Sequence, residues 1–209
     1  MEVKPAFFRL SGERRRTLLD TAMDIYLEYP YEEVSARLLC GRMGLNPATF
    51  YRYFGTKDDL LLYLFSQINR RIGENVDEST LLTTFETEPL PYLSEKENAF
   101  SALWYQFPDK VVHDLYFETM DSAYDLYRKV LSSEIARGNI RPDTNVELVA
   151  YLYATVGYNL YRYWRSTASG RDYLAQCKRY LYLSFFTGIM TPQGQSRIAS
   201  ADQLSVRKL

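Results

Sequence analysis

The chain has 209 residues, 46% of them hydrophobic and 24% charged, with a formal net charge of −1 at pH 7. Such a balance excludes a disordered chain, and the length allows one or two compact domains with a buried core. No stretch reaches the roughly 18 uncharged apolar residues of a membrane span, and the N-terminal MEVKPAFFRLSGERRR has no apolar signal region.

Cys40 and Cys177 are single thiols without C-x-x-C spacing, so neither a metal site nor a disulfide framework is expected. The expected location is the cytoplasm, with no membrane contact, metal or cofactor. Charge is unevenly placed. Residues 1–57 hold 9 Lys/Arg against 7 Asp/Glu, residues 58–143 hold 8 against 16, and residues 144–209 hold 8 against 3. A mildly basic front ahead of an acidic middle would turn that front toward a polyanion, although its net of +2 falls short of a strongly basic nucleic-acid binder. Tyrosine is abundant, at 19 residues, which suits interfaces and pockets where packing and hydrogen bonding meet.

In chain order, Leu18, Ala22, Ile25, Tyr26 and Tyr29 recur at the spacing of one helix face, and Pro30 stops that helix. Ser35 is a good N-cap for a second, short helix, which Gly44 can close in a left-handed conformation. Asn46 followed by Pro47 opens a third helix, closed by Gly55. Thr56 caps a fourth, with Asp58 and Asp59 at its positive end. Ser94 and Glu97 form a capping box for a helix to about Gln106. After Pro108 a long helix is predicted from Asp109 to about Arg137, ended by Gly138, Asn139 and Pro142. Two more follow over 145–165 and 171–188, and no segment reads as a strand. The predicted fold class is all-α. A helix-turn-helix domain of three helices spans 10–57, a helical-bundle domain spans 58–190, and 191–209 is a frayed polar tail.

The run VSARLLCGRMGLNPATFYRYFGTK, residues 34–57, meets the narrow demands of a helix-turn-helix. Val34, Leu39 and Met43 supply the inner face of the first helix, and Cys40 is small enough for the crossing. Gly44 tolerates positive φ, Leu45 plugs the turn, and Phe50 and Phe54 face inward. The outer side of the second helix is left with Asn46, Thr49, Arg52 and Tyr53. Thr49 and Arg52 are the expected base readers, because a guanidinium pairs bidentately with guanine. Arg37 can reach either a base or a phosphate.

Residues 14–64 resemble the DNA-binding domain of the TetR family of repressors. The resemblance is carried by the Arg-rich start at Arg14–Arg16, by Ser35 and Arg37, by Gly44-Leu45, and above all by TFYRYFGTKDDL from Thr49 to Leu60. The stretch EIARGNIRPD, 134–143, is similar to a turn that such proteins place before their dimerisation helices. Cys40 departs from the usual alanine, and Arg42-Met43 from a more ordinary pair; neither change disturbs the packing. The resemblance implies phosphate contacts from the Tyr51 hydroxyl and from Lys57. The full DNA-facing set is Ser35, Arg37, Asn46, Ala48, Thr49, Tyr51, Arg52, Tyr53 and Lys57, and the expected partner is a palindromic duplex operator.

Helix 145–165 is apolar on two faces and must be buried on both, one in its own core and one by something else. One stripe holds Val146, Val149, Ala150, Tyr153, Gly157, Leu160, Tyr161 and Trp164; the other holds Leu148, Leu152, Val156, Asn159 and Tyr163. The resemblance pairs this helix with 171–188 in a homodimer interface, expected at Val149, Ala150, Tyr153, Gly157, Leu160, Cys177, Leu181 and Phe185. It also places a small-molecule effector among Trp104, Tyr105, His113, Tyr116, Phe117, Met120 and Tyr124. Core packing is the competing reading for most of these singly. One histidine and no catalytic motif argue against an enzyme. A helical protein-interaction adaptor on the same fold is the rival from another class; it would have no need of Arg37, Thr49, Tyr51, Arg52 and Lys57 together.

Overall fold

The computed structural model describes residues 1–75, 90, 92–167, 170, 173, 176, 177, 180, 184 and 187–197, without the side chains of 105, 119, 122 and 157. The described residues are helical, with two isolated β-bridges and no strand. The helices are α1 (Pro5–Phe8), α2 (Gly12–Glu28), α3 (Ala36–Met43), α4 (Pro47–Tyr53), α5 (Lys57–Asn75), α6 (Glu95–Ala102), α7 (Asp109–Ala136) and α8 (Val146–Ser166). A 3-10 turn over Leu103–Gln106 continues α6. The described positions from 173 to 187 are helical too. No described helix is long and apolar enough to cross a membrane.

The chain divides into two compact units, Met1–Ile72 with Pro89–Thr119, and Gly73–Glu88 with Met120–Leu209. In the first, helix ends fall where capping chemistry puts them. Ser11, Ser35, Asn46 and Ser94 each accept a backbone N–H of the first turn, and Glu97 returns the bond to the Ser94 N–H to complete the capping box. Leu18, Ala22, Ile25, Leu39, Phe50, Phe54, Leu60, Leu61 and Leu64 form a core with almost no solvent contact. Lys96 of α6 reaches α2, pairing with Asp24 at 2.6 Å and donating to the Asp20 carbonyl at 3.2 Å. Phe100 stacks on Phe65 at 4.7 Å beside it.

α1 was not among the predicted elements. Pro5 sits at its first turn, where a missing N–H costs nothing. Phe7 is fully buried, its ring 4.9 Å from Phe54, 5.7 Å from Tyr63 and 5.9 Å from Tyr53.

The second unit is organised around Leu131, Ile140, Ala150, Tyr153 and Met190, with Val146 and Val149 packed against them. The Tyr127 ring meets Tyr153 edge-on at 4.6 Å. After α7, Gly138 turns the chain at φ 76° and Ile140 bridges Met190. Residues 191–197 are tied down rather than frayed. The Thr191 N–H donates to the Asn139 carbonyl at 3.0 Å, and its hydroxyl donates to Gly138 at 2.6 Å. A side chain at Gly194 would lie 2.2 Å from the Asn139 carbonyl oxygen, so only glycine fits this approach. Glu134 is wholly buried, held by Asn139 Nδ2 at 2.7 Å, Arg137 at 3.1 Å and Arg197 at 3.5 Å, the multiple pairing that a buried carboxylate needs.

This core corrects the expected interface. Ala150 and Tyr153 are 0% and 6% exposed inside a single chain, so neither can meet a partner; Val149 packs on the same core. The other stripe is the open one, with Leu148, Tyr151, Leu152 and Tyr163 between 40% and 53% exposed. Amphipathic spacing shows two faces but does not say which one the chain covers itself. Leu160 and Cys177 are half-buried, Gly157 is described only as backbone, and Leu181 and Phe185 lie outside the described residues.

Candidate nucleic-acid interface

The turn between α3 and α4 follows from three local choices. Gly44 takes φ 64°, the left-handed region where a side chain is strained, and the Leu45 N–H then closes on the Cys40 carbonyl at 2.9 Å. Asn46 Oδ1 accepts the Thr49 N–H at 2.7 Å and starts α4. Phe50 and Phe54 anchor α4 to the core, both at 0% exposure. With the inner side fixed, Asn46, Ala48, Tyr51 and Arg52 are left exposed on the outer side, and Arg37 and Ser35 stand exposed at the start of α3.

The expected DNA-facing residues divide by what their polar atoms already do. Arg52 and Tyr51 present exposed side chains. Thr49 is half-buried at the edge of the face. The Asn46 and Ser35 oxygens are occupied as helix caps, which leaves them donors for a phosphate rather than two-point base readers. Tyr53 is half-buried with its ring against Phe7, so it belongs as much to the α1 contact as to the outer face.

Lys57 is not where the resemblance puts it. Its Nζ turns inward, donating to the carbonyls of Tyr31 at 2.9 Å and Val34 at 2.7 Å, and lies 3.9 Å from the Tyr31 ring centre. The ammonium ties together the loop between α2 and α3 through these two carbonyls and the Tyr31 ring. Around it, Tyr26 donates its hydroxyl to the Lys57 carbonyl at 2.9 Å and Tyr31 donates to Asp58 Oδ1 at 2.7 Å. Burial raises both phenols well above the usual tyrosine range, and Asp58 adds to the shift, so both hydroxyls stay protonated and donate. Lys57→Ala is therefore expected to lower unfolding free energy by about 1–3 kcal/mol through the lost charged hydrogen bonds. Urea denaturation of both proteins checks this; equal midpoints would remove the cross-tie from the account.

α4 does not end as predicted. Phe54 is extended, bridging Val3, and Gly55 is not left-handed. Gly55 is required by crowding instead, since a Cβ there would sit 2.5 Å from a Glu2 carboxylate oxygen and 2.8 Å from one of Asp59. The Gly55 N–H donates to the Glu2 carbonyl at 3.2 Å, and the Lys4 N–H to the Tyr53 carbonyl at 2.8 Å. Sequence reasoning missed this N-terminal contact. Pro5 ahead of two phenylalanines was its one readable sign.

The effector candidates are divided between the two units. Trp104 is half-buried with its ring 6.1 Å from Phe65, and Tyr116 is half-buried. His113 and Phe117 are exposed, stacked on each other at 4.5 Å, which corrects their assignment to an enclosed pocket: two exposed rings one turn apart line an outer helix face. Met120 and Tyr124 are half-buried in the second unit, where the Tyr124 hydroxyl donates to Glu147. The Tyr105 side chain lies outside the description.

Residues 18–64 match the model of the tetR family of bacterial regulatory proteins. The chain is 31% identical over 86 residues to the HTH-type transcriptional repressor KstR of Mycobacterium tuberculosis, covering 41% of this chain and 39% of KstR. It therefore spans about two fifths of that relative's length. Among solved structures it is similar to SmeT, repressor of the Stenotrophomonas maltophilia multidrug efflux pump SmeDEF. The TM-score is 0.58 at 13% identity, over 89% of this chain and 93% of SmeT. A second likeness is to NalD, secondary repressor of the MexAB-OprM pump in Pseudomonas aeruginosa, with a TM-score of 0.53 at 15% identity over 88% of this chain and 100% of NalD. The structural likenesses carry the fold alone, and within the chain it is the segment 18–64 that is similar to the tetR family of bacterial regulatory proteins.

Proposed function

We propose that the protein is a repressor that binds a palindromic duplex operator as a homodimer and releases it in response to a small-molecule effector, without enzymatic activity. The observation that carries this reading is α4. A short helix is capped at its start and anchored by two fully buried phenylalanines, and it presents Ala48, Tyr51 and Arg52 outward on a rigid base. Arg52 reads a base, Thr49 assists at the edge, Tyr51 holds phosphate, and Arg37 flanks them from α3. A protein-binding adaptor has no use for that arginine-centred face, and no feature of α4 favours it.

Dimerisation is supported by the open stripe of α8, which an isolated chain would leave to water. The effector belongs to the helical part that follows α5, where Trp104 and Tyr116 are the half-buried candidates of the first unit. The effector lowers operator affinity only by its differential affinity for the two states, commonly ~1–3 kcal/mol.

Selection of bound sequences from a randomised duplex pool tests the reading. Enrichment of an inverted repeat is expected. Arg52→Ala should then cost about 1–3 kcal/mol on the best sequence and relax preference at one position of each half-site. No enrichment from the pool sinks the operator; uniform weakening by Arg52→Ala removes that residue from base reading.

A further inference from the structure

With the Lys57 ammonium committed to the α2–α3 loop, the flank of α4 has a different cation beside it. Lys4 Nζ donates to the Tyr51 carbonyl at 2.9 Å. That carbonyl belongs to the last turn of α4, where the helix dipole holds a positive charge. The position of Lys4 is built, not incidental. Its own N–H is bonded to Tyr53, Val3 bridges Phe54, the Glu2 N–H donates to Asp59 Oδ1 at 2.6 Å, and Phe7 is sealed in the core three residues on. The side chain is still 36% exposed, and the carbonyl takes only one of the three ammonium donors. The opposing charge is Glu2, whose Oε1 lies 3.8 Å from Nζ, beyond hydrogen-bond length.

Resting on the operator reading above, we infer that Lys4 is a phosphate contact of the DNA interface, supplied by an N-terminal segment that precedes the family-matched residues 18–64. A helix lying in the major groove is flanked by phosphates, and contacts there fix register without reading sequence. Tyr51 is exposed and holds the Lys4 ammonium by its own carbonyl, so hydroxyl and ammonium approach the backbone from one residue's surroundings. The N-terminal segment thus does two things: Phe7 fixes α4 against α5, and Lys4 adds the positive charge that Lys57 does not present.

The test is the salt dependence of binding to a selected duplex for wild type, Lys4→Gln, Lys4→Arg and Lys57→Ala. Losing a phosphate contact lowers the slope of log K against log salt by about 0.9 per bound protomer. Lys4→Gln is expected to show that drop with unchanged base preference and melting temperature, Lys4→Arg to restore the wild-type slope, and Lys57→Ala to keep it. A steep wild-type slope left unaltered by Lys4→Gln overturns the inference alone. A wild-type slope near zero overturns the operator reading and this inference with it. A slope drop in Lys57→Ala without one in Lys4→Gln returns the contact to Lys57.

Discussion

Leu148→Glu combined with Leu152→Glu is expected to yield a folded monomer, whereas Ala150→Arg is expected to unfold the second unit. The three positions lie within five residues of one helix but face opposite ways. Leu148 and Leu152 are 52% and 40% exposed on one stripe with Tyr151 and Tyr163. Ala150 is fully buried against Leu131, Ile140, Tyr153 and Met190. Glutamate on the open stripe places like charges across a two-fold contact, so the cost falls on association and not on the chain's own core. An arginine at 150 would bring an unpaired charge into a packed interior, on the order of 4–5 kcal/mol, enough to cancel much of a typical domain's stability. Sedimentation velocity with circular dichroism separates the outcomes. A wild type that sediments as a monomer at micromolar concentration defeats the dimer. A folded, monomeric Ala150→Arg would return the interface to the inner stripe.

The N-terminal helix is expected to matter far more than its four residues suggest. Phe7→Ala should lower stability by about 3–5 kcal/mol, the usual range for truncating a fully buried phenylalanine. Its ring contacts Phe54, Tyr53 and Tyr63, so the cavity would open between the end of α4 and α5. Phe8, its neighbour, is 49% exposed. Phe8→Ala should therefore stay within about 1 kcal/mol of wild type, as substitutions at exposed positions usually do. Guanidinium denaturation of the pair checks the contrast; equal losses, or a loss at Phe7 below about 1 kcal/mol, would show that α1 does not brace the domain.

The helices, their caps and the likeness of residues 18–64 to the tetR family were legible because their causes are local. Ser35, Gly44, Asn46 and the Ser94–Glu97 box act on backbone groups within a turn of themselves, so residue type and spacing suffice. Phe50 and Phe54 could be placed inward because a short helix with two large apolar residues four apart has one face to bury. What only the tertiary structure decided was long-range. Lys57 turned inward to the carbonyls of Tyr31 and Val34, more than twenty residues away, and no spacing rule records that. Gly55 owes its smallness to Glu2 rather than to its own φ, and residues 191–197 are ordered by Asn139 and Glu134, not by their own polar composition. The two stripes of α8 are alike in sequence. Burial against Leu131, Ile140 and Met190 makes one of them core, and hydrophobicity, being non-directional, could not tell which.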